Sequence, residues 1–168
     1  SALNLSKDNS SAAIIGGGDG GVARELSSKG FDLIDWYELD PEVVKVCQKH
    51  LSKVFGDVKA NNKVKTYWGD AFESIKKVKD SKYDKIFVDL NDDQFCINLA
   101  AKNMKGLKRI LKPGGIITAQ VGCMSKKPKQ VRNWMELLQN NFGNVELSEV
   151  FIPSFDCRWN FASSSYNK

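Results

Sequence analysis

Ala12-Ala13-Ile14-Ile15-Gly16-Gly17-Gly18-Asp19-Gly20-Gly21-Val22 is the stretch that decides how this chain folds. Small and branched apolar residues run directly into a glycine-rich turn that contains one aspartate, and a helical pattern begins at Val22. Glycine lets the backbone turn tightly after a strand and brings amide groups close to a ligand; Gly16, Gly18 and Gly21 keep the G-x-G-x-x-G spacing of a nucleotide loop. Asp19 then selects among nucleotides. A carboxylate inside the loop repels a pyrophosphate but attracts a compound carrying a sulfonium and an ammonium, so the loop favours an S-adenosyl-type cofactor over NAD.

Working outward, the periods alternate between strand and helix. Strands are expected near Ala12–Ile15, Leu33–Glu38, Val64–Trp68, Lys85–Asp89, Ile116–Val121, Glu146–Phe151 and Asn160–Ser163. Helices are expected near Val22–Ser28, Pro41–Val54, Ala71–Val78, Phe95–Leu111 and Pro128–Asn141. Asp40 is a good cap for the second helix, Pro41 suits its first position, and Val43, Val44, Cys47, Leu51 and Val54 form one apolar face. Each of the first five strands is followed by a helix, whereas the last two are joined by a short link through Pro153. The fold class is therefore α/β: a doubly wound, mostly parallel, Rossmann-like sheet of the S-adenosylmethionine-dependent methyltransferase type, ending in an antiparallel hairpin.

A chain of 168 residues is expected to form one domain, residues 1–168, with residues 1–11 and 164–168 frayed. No run approaches the roughly 20 apolar residues of a membrane span, and Ser1 to Ser11 are too polar for a signal peptide, so a cytoplasmic location is expected with no membrane partner. Cys47, Cys96, Cys123 and Cys157 lie far apart and His50 is the sole histidine; no metal site is expected, and the thiols are read as reduced. The net charge of +5 raises the question of nucleic acid. The lysines sit at helix ends or on polar helix faces with no interleaved aromatic residues, which speaks against it. Trp36, Tyr37, Trp68, Trp134 and Trp159 read as packing residues.

The acids are placed differently: Asp19, Glu38, Asp40, Asp70, Asp89, Asp92 and Asp93 all fall at or just past the ends of expected strands. In an open parallel sheet the ligand lies in the crevice beyond those carboxyl ends, so one acidic pocket is expected, suited to a cationic substrate. Glu38 follows Gly21 by 17 positions, near the spacing at which an acid accepts from ribose hydroxyls. Asp70, before Ala71, either accepts from an adenine amino group or caps the helix that Ala71 begins. Asp89 ends the apolar run Ile86-Phe87-Val88 and can accept the proton of an amine attacking next to a sulfonium. Asp92 or Asp93 orients a second ammonium, or serves only to turn the chain.

With these residues in view the chain resembles the polyamine aminopropyltransferases, the spermidine and spermine synthases. The likeness runs from about Ala12 to Ser163 and rests on Ile14 to Val22, Tyr37-Glu38-Leu39-Asp40 with Val43-Val44, Gly69-Asp70-Ala71, Val88-Asp89-Leu90, Lys112-Pro113-Gly114-Gly115, Gln120 and Ile152-Pro153-Ser154-Phe155. It implies decarboxylated S-adenosylmethionine as co-substrate, no metal, and transfer of its aminopropyl group to a polyamine, putrescine or spermidine. Asp19 would hold the aminopropyl ammonium, Glu38 the ribose, Asp70 with Ala71 the adenine, and Asp89 the attacking nitrogen, with Gln120 and Phe155 lining the same pocket. A homo-oligomer is compatible with the likeness.

The departures are specific. The family's N-terminal β-rich domain is absent from this stretch, its D-S-S-D-P segment reads Asp89-Leu90-Asn91-Asp92-Asp93, the gating loop is shortened before Phe95, and its tyrosine is replaced by Phe155. Two alternatives stay open: a methyltransferase using S-adenosylmethionine itself, and a non-catalytic domain that binds an adenosyl ligand.

Overall fold

Along β1 (Ser11–Gly16) the side chains alternate between two cores: Ala12 and Ile14 enter one, Ala13 and Ile15 the other, and all four are buried. That pattern identifies a strand at the centre of a sheet covered on both faces. The computed structural model describes residues 10–166. Its seven-stranded sheet has the order β3-β2-β1-β4-β5-β7-β6, in which β2 is Leu33–Glu38, β3 Val64–Trp68, β4 Tyr83–Asp89, β5 Leu111–Cys123, β6 Val145–Ile152 and β7 Cys157–Ser165. The pairings among β1 to β5 are parallel, and β7 runs antiparallel to both β5 and β6.

One face is covered by α4 (Ala71–Ile75), α5 (Gln94–Ile110) and α6 (Pro128–Phe142), which bury Phe72, Met104, Leu107, Trp134 and Leu138 against Ala13, Ile15, Ile86 and Ile117. On the other, α1 (Gly21–Ser28), α2 (Pro41–His50) and α3 (Ser52–Phe55) bury Leu26, Val44 and Phe55 against Ile14, Ile34, Trp36 and Phe87. The expected fold class, including the terminal hairpin, is the observed one. The order reverses between β1 and β4, which places the crevice beside the glycine turn.

Local expectations need correction. The helix expected over Pro41–Val54 breaks at Leu51 (φ −118°, ψ 41°), and α3 sets off in a new direction. The break lets Phe55 reach the core, where it packs near Trp36, while Arg24 Nη1 donates to the Lys53 and Val54 carbonyls at 2.8 and 2.7 Å. The anticipated apolar face is therefore mostly on the surface: Val44 is buried, but Val43, Leu51 and Val54 are exposed. The helix expected to reach Val78 stops at Ile75, because Arg109 takes the carbonyls of Ile75 and Val78. Trp68, read as a packing residue, is half exposed on the edge strand β3.

The ends are more ordered than expected over the described residues. Ser11 is buried in β1 with its Oγ 2.6 Å from Asp84 Oδ2, and Ser164 is buried in β7. The rest of the expected frayed segments, 1–9 and 167–168, lies outside the described residues. The reading of all four cysteines as reduced is also overturned: Cys123 and Cys157 form a disulfide, and Cys47 and Cys96 are free thiols. The two partners sit 34 residues apart in sequence and meet because β5 and β7 are neighbours, with Cys123 ending one and Cys157 starting the other. Among the described residues no helix is long and apolar enough to cross a membrane.

Candidate active site

The glycine turn leaves β1 pressed against β4. Gly16 is the register partner of Asp89, and the Gly17 amide donates to the Asp89 carbonyl at 2.9 Å. Gly16 has φ +83°, and a Cβ there would overlap the Asp89 carbonyl oxygen, so glycine is required on both counts. The indole of Trp36 donates from below to the Gly16 carbonyl at 2.8 Å, tying the turn to β2. A Cβ on Gly17 would stand 3.0 Å from Asp89 Oδ2, and one on Gly18 would stand 3.2 Å from Glu38 Oε2. The missing side chains are what let two carboxylates approach the loop.

Asp19 completes the group. Its Oδ1 accepts from the Gly21 amide at 2.8 Å, at the start of α1. Glu38, at the end of β2, is nearly buried, and its Oε1 accepts from the Asp40 amide at 3.0 Å. Asp89 is pushed up to about 6, first by burial and then by the charges of Asp19 and Glu38. Cys47 on α2 feels the same field: burial, Asp19 and Glu38 together raise its thiol. Among the described residues no lysine or arginine forms an ion pair with Asp19, Glu38 or Asp89. The three acids thus share one region of uncompensated negative potential.

Asp70 and Ala71 lie at the next carboxyl end, after β3. Asp70 Oδ1 caps α4 by accepting from the Phe72 and Glu73 amides at 2.7 and 3.3 Å, while Oδ2 takes no part in the cap. On the other side of Asp89, Gln120 is held at both ends of its amide. Its Nε2 donates to the Leu90 carbonyl and its Oε1 accepts from the Trp159 indole at 2.6 Å. Phe155, half exposed in the turn between β6 and β7, packs at a 41° tilt against Trp159, ring centroids 4.4 Å apart. Asp92 is paired with Lys127, Nζ to Oδ2, at 3.0 Å. Asp93 caps α5 through the Cys96 amide.

Apart from Asp70 and Ala71 at the end of β3, the expected residues divide into two sets. Gly16, Gly18, Asp19, Gly21, Glu38 and Asp89 converge on the turn, whereas Gln120, Phe155 and Asp92 stand in a second set beside it with partners of their own. Sequence reading missed Trp36, Trp159 and Lys127, and it missed the disulfide. Their roles depend on neighbours brought in by other strands, and only the glycine spacing leaves a local mark. Among the described residues no group of three His, Cys, Asp or Glu side chains is arranged to hold a metal ion. A shallow cleft of about 340 Å³ opens elsewhere, beside Asp80, Lys105, Arg109 and Pro113. Arg109 is already committed there to Asp80 and to backbone carbonyls.

The family model described as the spermine/spermidine synthase domain matches residues 1–168. The chain belongs to that family. Polyamine aminopropyltransferases from two strains of Prochlorococcus marinus, MIT 9215 and MIT 9301, are each 34% identical over 97% of this chain. The chain spans about 60% of the length of these curated relatives. Among solved structures, a spermidine synthase in complex with the transition-state analogue AdoDATO superposes with a TM-score of 0.81 at 19% identity. It matches 96% of this chain and 54% of its own. Spermidine synthase from Thermotoga maritima gives a TM-score of 0.81 at 20% identity, covering 96% of this chain and 55% of its own. The likeness to these two structures is one of fold, and it covers 96% of this chain.

Proposed function

We propose that this spermine/spermidine synthase domain transfers the aminopropyl group of decarboxylated S-adenosylmethionine to an amine. The observation that carries the reading is the set of Asp19, Glu38 and Asp89 around a glycine turn, with no protein cation paired to them among the described residues. A ligand bearing a sulfonium and a terminal ammonium supplies the missing positive charge. Asp19 takes the aminopropyl ammonium, Glu38 the ribose hydroxyls, and the uncapping oxygen of Asp70 with Ala71 the adenine edge. Asp89 faces the attacking nitrogen, and Asp92, Gln120 and Phe155 flank the acceptor.

In the transfer step the acceptor nitrogen forms a bond to the carbon next to sulfur. The carbon–sulfur bond breaks, its electron pair stays on sulfur, and methylthioadenosine leaves as a neutral thioether. Asp89 accepts the proton that the nitrogen sheds, and a carboxyl raised to about 6 is ionised yet basic enough to do so near neutral pH. Sulfonium is already a good leaving group, so alignment and charge complementarity carry most of the catalysis. No metal takes part in this scheme.

Product mass spectrometry tests the proposal. Incubation with decarboxylated S-adenosylmethionine and an amine panel is expected to yield an aminopropylated amine and methylthioadenosine. A methylated product from S-adenosylmethionine would instead establish a methyltransferase, and nucleoside binding without product would establish a binding domain.

A further inference from the structure

Asp92, which the functional reading assigns to the acceptor amine, is ion-paired with Lys127, and both partners are held in place by backbone. Asp92 belongs to the loop that leaves Asp89; Gln120 Nε2 grips that loop at the Leu90 carbonyl, and Asp93 anchors its far end as the cap of α5. Lys127 ends the tight turn after β5, in which the Lys126 and Lys127 amides both donate to the Cys123 carbonyl, at 3.2 and 2.8 Å. The turn is itself fastened to β7, by the Cys123–Cys157 disulfide and by the buried Asn160, whose Oδ1 accepts from the Met124 amide at 2.8 Å. Lys127 Nζ reaches Asp92 Oδ2 at 3.0 Å and the Asp92 carbonyl at 3.5 Å.

An ammonium at hydrogen-bond distance from a carboxylate, three residues beyond the proposed base, has the chemistry of the far end of a diamine. We infer that Lys127 biases acceptor choice: its own ammonium occupies Asp92 and weights selection away from diamines toward acceptors with a single amine. The inference rests on the aminopropyltransferase reading of the site. The pair is partly exposed, with side-chain exposures of 51% and 28%, so Lys127 competes with a diamine rather than excluding it. A surface pair of this kind corresponds to a preference of roughly two- to fivefold.

The test is calorimetric titration of putrescine and butylamine into protein saturated with methylthioadenosine. Lys127→Met, which keeps the aliphatic stem, is expected to tighten putrescine roughly two- to fivefold and leave butylamine unchanged. Lys127→Arg restores the wild-type ratio, and adding Asp92→Asn to Lys127→Met removes the gain; a purely structural role for Lys127 produces neither pattern. An unchanged putrescine-to-butylamine ratio in Lys127→Met overturns the inference, as does a gain that survives Asp92→Asn or a failure of every variant to bind putrescine. The nucleoside titration is a separate readout. Protein that does not bind methylthioadenosine overturns the functional reading together with this inference, whereas normal nucleoside binding with unchanged ratios overturns the Lys127 assignment alone.

Discussion

Gly16 and Asp89 face each other as the last register pair of β1 and β4, with no room for a Cβ between the turn and the Asp89 carbonyl. The same closeness sets the site's shape and its electrostatics. The bare backbone at Gly16 and Gly17 admits the Asp89 carboxylate to the position where burial and the neighbouring acids raise it to about 6.

Gly16→Ala is expected to cost about 2–4 kcal/mol, because the substitution combines left-handed strain with overlap against backbone that cannot move aside. Gly30→Ala is the control: its φ of +81° is similar, but a Cβ there meets nothing within 4 Å, and about 1–2 kcal/mol is expected. Urea denaturation of both variants checks the difference, and equal losses would remove the steric argument.

Asp89→Asn is expected to abolish transfer while methylthioadenosine still binds. The ionised carboxylate is the proton acceptor, so wild-type transfer should fall as pH drops through about 6. Stability gives an independent readout with a worked sign. The folded-state value lies above the ordinary 3.8, so ionising Asp89 disfavours the folded state. The penalty is absent below about 3.8, grows through about 6 and is complete above it. Asp89→Asn should therefore be more stable than wild type by about 1–3 kcal/mol at pH 8 and close to it at pH 4. A constant difference across that range would disprove the shift.

Asp19→Ala and Asp70→Ala are expected to weaken the adenosyl ligand about tenfold each, the scale of one charge-assisted hydrogen bond. Asp70→Ala also removes the cap of α4 and should cost about 1 kcal/mol of stability. Asp70→Asn keeps a capping oxygen, which separates the two roles in a combined calorimetric and thermal-melt experiment.

Breaking the Cys123–Cys157 link is expected to lower stability by about 2–4 kcal/mol, since the bond closes a loop of 34 residues in the unfolded chain. Cys157→Ser should match chemically reduced wild type and should not respond to added dithiol. A wild type equally stable before and after reduction would show that the bond contributes nothing to folding.

The turn and its strand, the capped start of α2 at Asp40 and the alternation that makes the sheet doubly wound were all legible in sequence. Each is written in residues adjacent along the chain: glycines where φ is positive, a carboxylate and a proline where a helix begins, branched residues where both faces are covered. The convergence of Asp19, Glu38 and Asp89 was legible for a related reason, because parallel strands deliver their carboxyl ends to one edge.

What tertiary structure alone decided is who meets whom across the sheet. The break at Leu51 follows from the demand to bury Phe55 and from an arginine on α1, neither visible in the helical pattern itself. Cys123 finds Cys157, Gln120 finds Leu90 and Trp159, and Lys127 finds Asp92, because β5 lies between β4 and β7. Local sequence sets backbone preference and periodicity, which act over a few residues. Partner choice depends on strand order and packing, which bring together side chains separated by 30 residues or more.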